Sequence, residues 1–190
     1  MKEFQFFDLN QILRLAVDRL RSIAGADPRL TGPQDIPPFT YALAHSLAPP
    51  NCQLASIDSP SDEARLDDVI QPGASAWVGI AKEFQSAYFD ALAGSVKDRR
   101  EGWFNVATGE EIDETLWNVN QPFALPMGAS TTQTANAAVW RLGEGLLAVP
   151  STSQKDGAIY ECCAEVLPAC FGSGLGNLED VLVPLLQQKF

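Results

Sequence analysis

The chain has 190 residues, with 24 acidic side chains against 13 basic ones and a formal charge of −11. Phosphate recognition needs a basic stripe, so this balance excludes nucleic acid as a partner. With 46% hydrophobic and 19% charged residues, the sequence is that of a globular protein, long enough for one domain with a hydrophobic core plus an appendage. The acidity is uneven. Residues 1–40 hold five bases and five acids, so the whole excess, 8 minus 19, falls in residues 41–190. That asymmetry suggests an extension followed by an acidic domain whose charge serves as solvated surface, as a cation site or as the counterpart of a basic partner.

From Asp8 the apolar residues Leu9, Ile12, Leu13, Ala16, Val17, Leu20 and Ile23 recur at helical spacing. They predict an amphipathic helix over 8–24, with Asp8 as N-cap and Gly25 as stop, that docks on its own domain or serves as a homo-oligomer seam. Residues 26–38 are punctuated by proline and no helix can cross them, which places a boundary near residue 36. Phe39 to Leu47 then reads as a short helix, Gln53 to Ile57 as a strand, and Ser61 to Ile70 as a helix capped by Ser61. Ala76 to Ile80 is a buried strand entering a long stretch without clear periodicity. Trp140 to Leu142, Leu146 to Val149 and Ala158 to Cys162 read as later strands, and Leu178 to Gln188 as a terminal helix. The domain division expected is 1–35, 36–165 and 166–190.

Residues 118–135 are poor in regular pattern yet rich in Asn, Gln, Ser, Thr and Pro. Compact domains seldom keep such a loop without function, so it is a candidate binding surface on a rigid scaffold. The uncharged segment around it is too polar to span a membrane.

Catalytic and metal chemistry find little footing. His45 is the only histidine, set in a predicted helix, and reads as structural. Cys162, Cys163 and Cys170 lack zinc-ligand spacing. Gly172 to Gly176 lacks the Lys and Ser/Thr of a phosphate loop and reads as a turn before a helix capped by Asn177. The acid run Glu110, Glu111, Asp113 and Glu114 reads as a solvated turn, with cation binding as the alternative. There is no secretory leader pattern and no Asn-x-Ser/Thr sequon. A cytoplasmic protein without a membrane span is expected, extracellular or surface-bound if the chain is a trimmed fragment.

The order of Leu54-Ala-Ser-Ile57, the acidic helix Asp62 to Leu66, Trp77-Val-Gly-Ile80, Gly102-Trp-Phe-Asn-Val-Ala-Thr-Gly109, Trp117-Asn-Val-Asn-Gln-Pro122 and Ile159-Tyr-Glu-Cys162 resembles a C-type lectin-like domain. The resemblance covers about Phe39 to Cys163. It implies an α+β fold with two flanking helices, small antiparallel sheets, a long irregular loop and termini that come together, here with an N-terminal and a C-terminal helix added. It also implies that Trp77 is core, that Trp103 and Trp117 frame the loop, and that Gln121-Pro122 is cis.

The family's sugar-linked calcium site takes a Glu/Gln-Pro-Asn/Asp triplet, a later Glu and Trp-Asn-Asp, because calcium needs six to eight oxygens. Here the matching residues are Gln121-Pro122-Phe123 and Leu147-Ala148-Val149, and no acid lies between Glu114 and Glu144. The expectation is therefore no metal and no cofactor. Family cysteine positions carry Ser46, Ala137 or Ala138, and Thr152; Cys162 alone is in place, and Cys52 could reach Cys162 or Cys163. With neither familiar bridge retained, a reducing compartment follows.

The resemblance also raises the formylglycine-generating enzymes, whose core is lectin-like; their dedicated cysteine or histidine chemistry has no counterpart here. The resulting expectation is a noncatalytic, calcium-independent module that binds a protein through Trp117, Asn118, Asn120, Gln121, Phe123, Leu125 and Met127. A carbohydrate-binding lectin is the alternative, and an enzyme on this scaffold the third.

Overall fold

The computed structural model describes residues 2–15 and 39–163. The chain starts with a strand that the sequence reading missed, β1 (Lys2–Asp8), although Phe4, Gln5 and Phe6 alternate as a half-buried strand should. Asp8 then caps a helix, α1 (residues 9–15). Its carboxylate accepts from the Gln11 N–H at 2.8 Å, and the Gln11 side chain accepts from the Asp8 N–H at 2.9 Å, a reciprocal cap that satisfies two otherwise orphaned donors. Ile12 is fully buried in a cluster with Phe39, Trp77 and Tyr160, so the described turns of this helix, residues 9–15, dock on the chain's own domain, the first of the two uses expected for the stripe. The predicted remainder of this helix, the connector to residue 38 and the C-terminal helix lie outside the described residues.

Next come α2 (Tyr41–Ser46), β2 (Cys52–Leu54), α3 (Pro60–Val69) and β3 (Ser75–Lys82). The cap of α3 is Ser59 rather than Ser61, because Pro60 occupies the first helical turn, where its fixed φ fits and its missing N–H costs nothing. The region read as aperiodic contains two further helices, α4 (Phe84–Ala93) and α5 (Val96–Arg100), followed by β4 (Trp103–Asn105). Both helices carry a local start signal: Glu83 accepts from the Ser86 N–H, and Ser95 with Asp98 forms a capping box. α5 is too short to show a helical period, and in α4 the exposed Phe84 and Phe89 blur the apolar stripe that Ala87 and Ala91 bury. The described chain closes with β5 (Ala137–Arg141), β6 (Gly145–Val149) and β7 (Gly157–Cys163).

These strands make one seven-stranded sheet in the order β1-β7-β3-β5-β6, with β2 on β7 and β4 on β3. This corrects the expectation of separate small sheets. The joint is the short parallel contact of Ala76 with Gly157 and Trp77 with Ala158, which fuses what would otherwise be two antiparallel groups. The expected α+β class stands, and the first and last described strands pair along their full lengths, from Lys2 with Cys163 to Asp8 with Gly157. Residues 2–8 are therefore part of the same sheet as the rest of the described strands.

Alternation along β3 sends its side chains to two cores. Trp77 packs with Val139, Phe39, Ile12 and Tyr160 on one face, and Val78 and Ile80 with Trp103, Trp117, Trp140 and Leu66 on the other. Trp77 is the expected core residue, and its indole N–H donates to the Phe39 carbonyl at 3.0 Å. Between them Gly79 lets β3 approach β2, since a Cβ there would sit 2.6 Å from the Leu54 carbonyl oxygen.

Cys52 and Cys162 are register partners on β2 and β7 and are joined by a disulfide. Cys163 is also disulfide-bonded. The inference of a reducing compartment from missing bridges thus loses its premise: the bridge is displaced six residues from the helix position of Ser46 to the strand that follows.

Candidate functional site

The long loop is irregular from Asn118 onward, apart from a single 3-10 turn at Thr131–Gln133. What gives it shape is a pair of guanidinium groups at the end of α5. Arg100 donates through Nε to the Gln121 carbonyl at 2.9 Å, and through Nη2 to the carbonyls of Asn118 at 3.1 Å and Val119 at 3.2 Å. Arg99 donates through Nε to the Pro122 carbonyl at 2.9 Å and through Nη1 to that of Gly94 at 2.8 Å. A fork of fixed, always-charged donors suits a cluster of carbonyls.

Beneath them the buried Lys82 ammonium pairs with Asp90 and donates to the carbonyls of Asp98 and Glu101. It ties β3 to α4 and to the C-terminal part of α5. Ser95 hydroxyl and backbone donors on the Asp98 carboxylate hold its pKa below the usual range, so the cap of α5 stays ionised. Sequence reasoning missed all three cations. For Arg99 and Arg100 the available signal was the basic run Lys97-Asp-Arg-Arg100 just after Ser95; Lys82, inside an apolar strand, was the other.

The seven loop residues singled out from sequence divide into three groups by burial. Trp117 and Gln121 are buried and serve as framework. Trp117 meets Trp103 edge to face at 4.7 Å. The Gln121 side-chain oxygen accepts from the Ala148 N–H at 3.0 Å, and the Gln121-Pro122 peptide is cis as expected. Asn118 is half-buried and donates from its side chain to the Glu144 carbonyl at 2.7 Å. Leu125, also half-buried, is tied by its N–H to the Ala91 carbonyl on α4 at 2.7 Å. Asn120, Phe123 and Met127 face solvent, Phe123 at 62% exposure and Met127 at 95%. Val119, absent from the sequence-based set, joins them at 79%.

The residues do not fit the calcium site that the resemblance raises. Gln121 spends its side-chain oxygen on Ala148, Phe123 offers a phenyl ring, and Leu147 to Val149 lie in β6 without a side-chain oxygen. Among the described residues no group of three or more His, Cys, Asp or Glu side chains is placed to hold a metal ion. In the acid run, Glu111 accepts from the Gly102 N–H, and Asp113 caps a 3-10 turn through Thr115 N–H and hydroxyl bonds that hold its pKa low. His45 is exposed on the last turn of α2. No described helix is long and apolar enough to cross a membrane.

Fold and site together define an α+β domain carrying a long loop fixed by protein cations and edged with apolar side chains. Among solved structures it is similar to the human scavenger receptor C-type lectin carbohydrate-recognition domain, at 15% identity and a TM-score of 0.41, covering 58% of this chain and 71% of that one. It is likewise similar to the mouse domain of the same description, at 16% identity and a TM-score of 0.41, covering 62% and 74%. No family model and no curated protein sequence matches the chain.

Proposed function

We propose that the chain is a noncatalytic, calcium-independent binding module that recognises a protein partner through its long loop. The observation that carries this reading is the engagement of four loop carbonyls, those of Asn118, Val119, Gln121 and Pro122, by Arg99 and Arg100. A loop ordered by guanidinium groups needs no metal to pre-organise it, and pre-organisation lowers the entropy cost of binding. Val119, Phe123 and Met127 project from this ordered backbone, and aromatic and Met side chains are the types enriched where proteins meet. Disulfide bonding at Cys52 and Cys162 supports placing the module in an oxidising compartment.

Two measurements test the reading. Amide exchange at residues 118–123 is expected to be the same in calcium and in chelator, and to quicken in Arg100→Met while β3 and β7 keep their protection. Partner binding is expected to be lost in Phe123→Asp with Met127→Asp, both exposed and so compatible with folding, and to be insensitive to chelator. Reproducible sugar binding on a glycan array that chelation abolishes would replace this reading with the lectin one.

A further inference from the structure

On the face of the sheet opposite Trp103 and Trp117, several hydrogen-bond donors gather without acceptors. Ser75 and Trp77 lie two residues apart on β3 and so share a face; Arg141 stands opposite Ser75, and Val139 opposite Trp77. The Tyr41 ring meets Trp77 edge to face at 5.5 Å, and the Lys155 ammonium sits 5.9 Å from the centre of the same indole. The segment leading into β7 is sewn down beside them, because Asp156 accepts from the Ser75 N–H at 2.8 Å and donates its own N–H to the Ser75 carbonyl at 3.1 Å.

Within this arrangement the Tyr41 hydroxyl, the Ser75 hydroxyl and the Arg141 Nε are buried and have no hydrogen-bond partner. These are three of the five such side-chain atoms among the described residues. Leaving a polar group buried and unpaired costs about 1–3 kcal/mol, so three on residues that share one face of the sheet around Trp77 call for an explanation. Arg141 is only partly neutralised, with Nη1 on the exposed Glu144 carboxylate at 3.1 and 3.2 Å. Lys155 makes no ion pair or hydrogen bond through its ammonium among the described residues, and the one nearby carboxylate, Asp156, is directed at the Ser75 N–H. Burial, and secondarily the Arg141 charge, push the Lys155 pKa down, with Asp156 acting weakly against them.

Each unmet group can donate, and two of them are cationic. A water molecule offers two lone pairs and no charge, too few acceptors for this set; a group with several charged oxygens matches it. We propose that Tyr41, Ser75, Arg141 and Lys155 form an oxyanion-binding site that takes the carboxylate, sulfate or phosphate group of a small ligand. It is separate from the long loop, so the module carries two recognition surfaces on opposite faces of one sheet.

The test is thermal unfolding and calorimetric titration of the full chain with sodium sulfate, phosphate, acetate and glucuronate, each against chloride at constant ionic strength. A ligand that binds the folded state alone raises the melting temperature in a saturable way. The expected result is such a rise with at least one oxyanion, the tetrahedral and carboxylate arms showing which shape fits. Tyr41→Phe keeps the ring and removes only the unmet hydroxyl, so it is expected to fold at no cost in the absence of anion and to weaken binding about tenfold. Lys155→Met is expected to weaken it at least as much. Titrations that show no saturable rise, or a rise that persists unchanged in Tyr41→Phe, overturn the proposal.

Discussion

Trp103 and Trp117 pack against each other at the base of the loop, yet their indole N–H groups meet different fates. That of Trp103 donates to the Arg99 carbonyl at 2.8 Å, at the end of α5, whereas that of Trp117 is buried with no partner. Both rings are almost wholly buried, so truncation to Phe removes similar apolar area from each. The polar terms differ in sign: Trp103→Phe abolishes a hydrogen bond and strands a carbonyl, while Trp117→Phe removes a donor that was already unmet. Trp103→Phe is expected to cost about 1 kcal/mol more than Trp117→Phe, read from urea unfolding midpoints. Equal costs would show that ring packing alone decides both positions.

At the scale of elements, β2 and β7 are held by both a ladder and the Cys52–Cys162 bridge, which closes a separation of 110 residues. Cross-links over so long a stretch restrict the unfolded chain most, by about 4–5 kcal/mol in the loop-entropy model, of which about 2–5 is usually realised on removing a native bridge. Cys52→Ser with Cys162→Ser is expected to lower stability by that amount and to leave the β2 to β7 pairing intact, seen as retained amide protection at Gln53 and Leu54. The sequence left Cys52 with either Cys162 or Cys163 as its partner, since the choice depends on strand register and register is a property of the folded sheet. Strands with continuous apolar runs, such as Ala76 to Ile80, were legible because full burial selects them. α4 and α5 were not: α5 has only five residues, and in α4 the large apolar Phe84 and Phe89 are exposed while only Ala87 and Ala91 are buried, so no apolar stripe stands out against a polar face. β1 was overlooked in favour of the stronger helical stripe that follows Asp8. Of the site, Phe123 and Met127 could be read as exposed loop residues, whereas Trp117 and Gln121 carry the same residue types but face inward; the direction of a loop side chain follows from what clamps the backbone, here Arg99 and Arg100.

For the whole molecule, the charge of −11 and the placement of single carboxylates act on stability in opposite directions as pH falls. Self-repulsion among exposed acids destabilises the compact state near neutrality and relaxes as they take up protons. Glu83, Asp98 and Asp113 are held below their usual pKa, chiefly by the Ser86 N–H, the Ser95 hydroxyl and the Thr115 N–H respectively. A carboxyl group with a depressed folded pKa binds fewer protons when folded than when unfolded. The stability it lends is therefore complete above the ordinary carboxylate range and lost as pH drops through the lowered values. Glu63, raised by burial and by Asp67, contributes with the opposite sign, gaining as the solution turns acidic. The three caps outnumber it, and each fixes the start of a helical turn beside the loop or its anchors, so their loss governs the acid limb. Unfolding midpoints are expected to rise modestly from pH 8 to about pH 5 and to fall steeply below about pH 4. Screening adds a second signature: with a Debye length of about 10 Å at 0.1 M salt, sodium chloride should stabilise the protein at pH 8, where repulsion is greatest, and do little at pH 5. A stability that is flat in salt at pH 8 would mean that the acidic excess is already neutralised within the fold, and that it does not present a negative surface to solvent or to a basic partner.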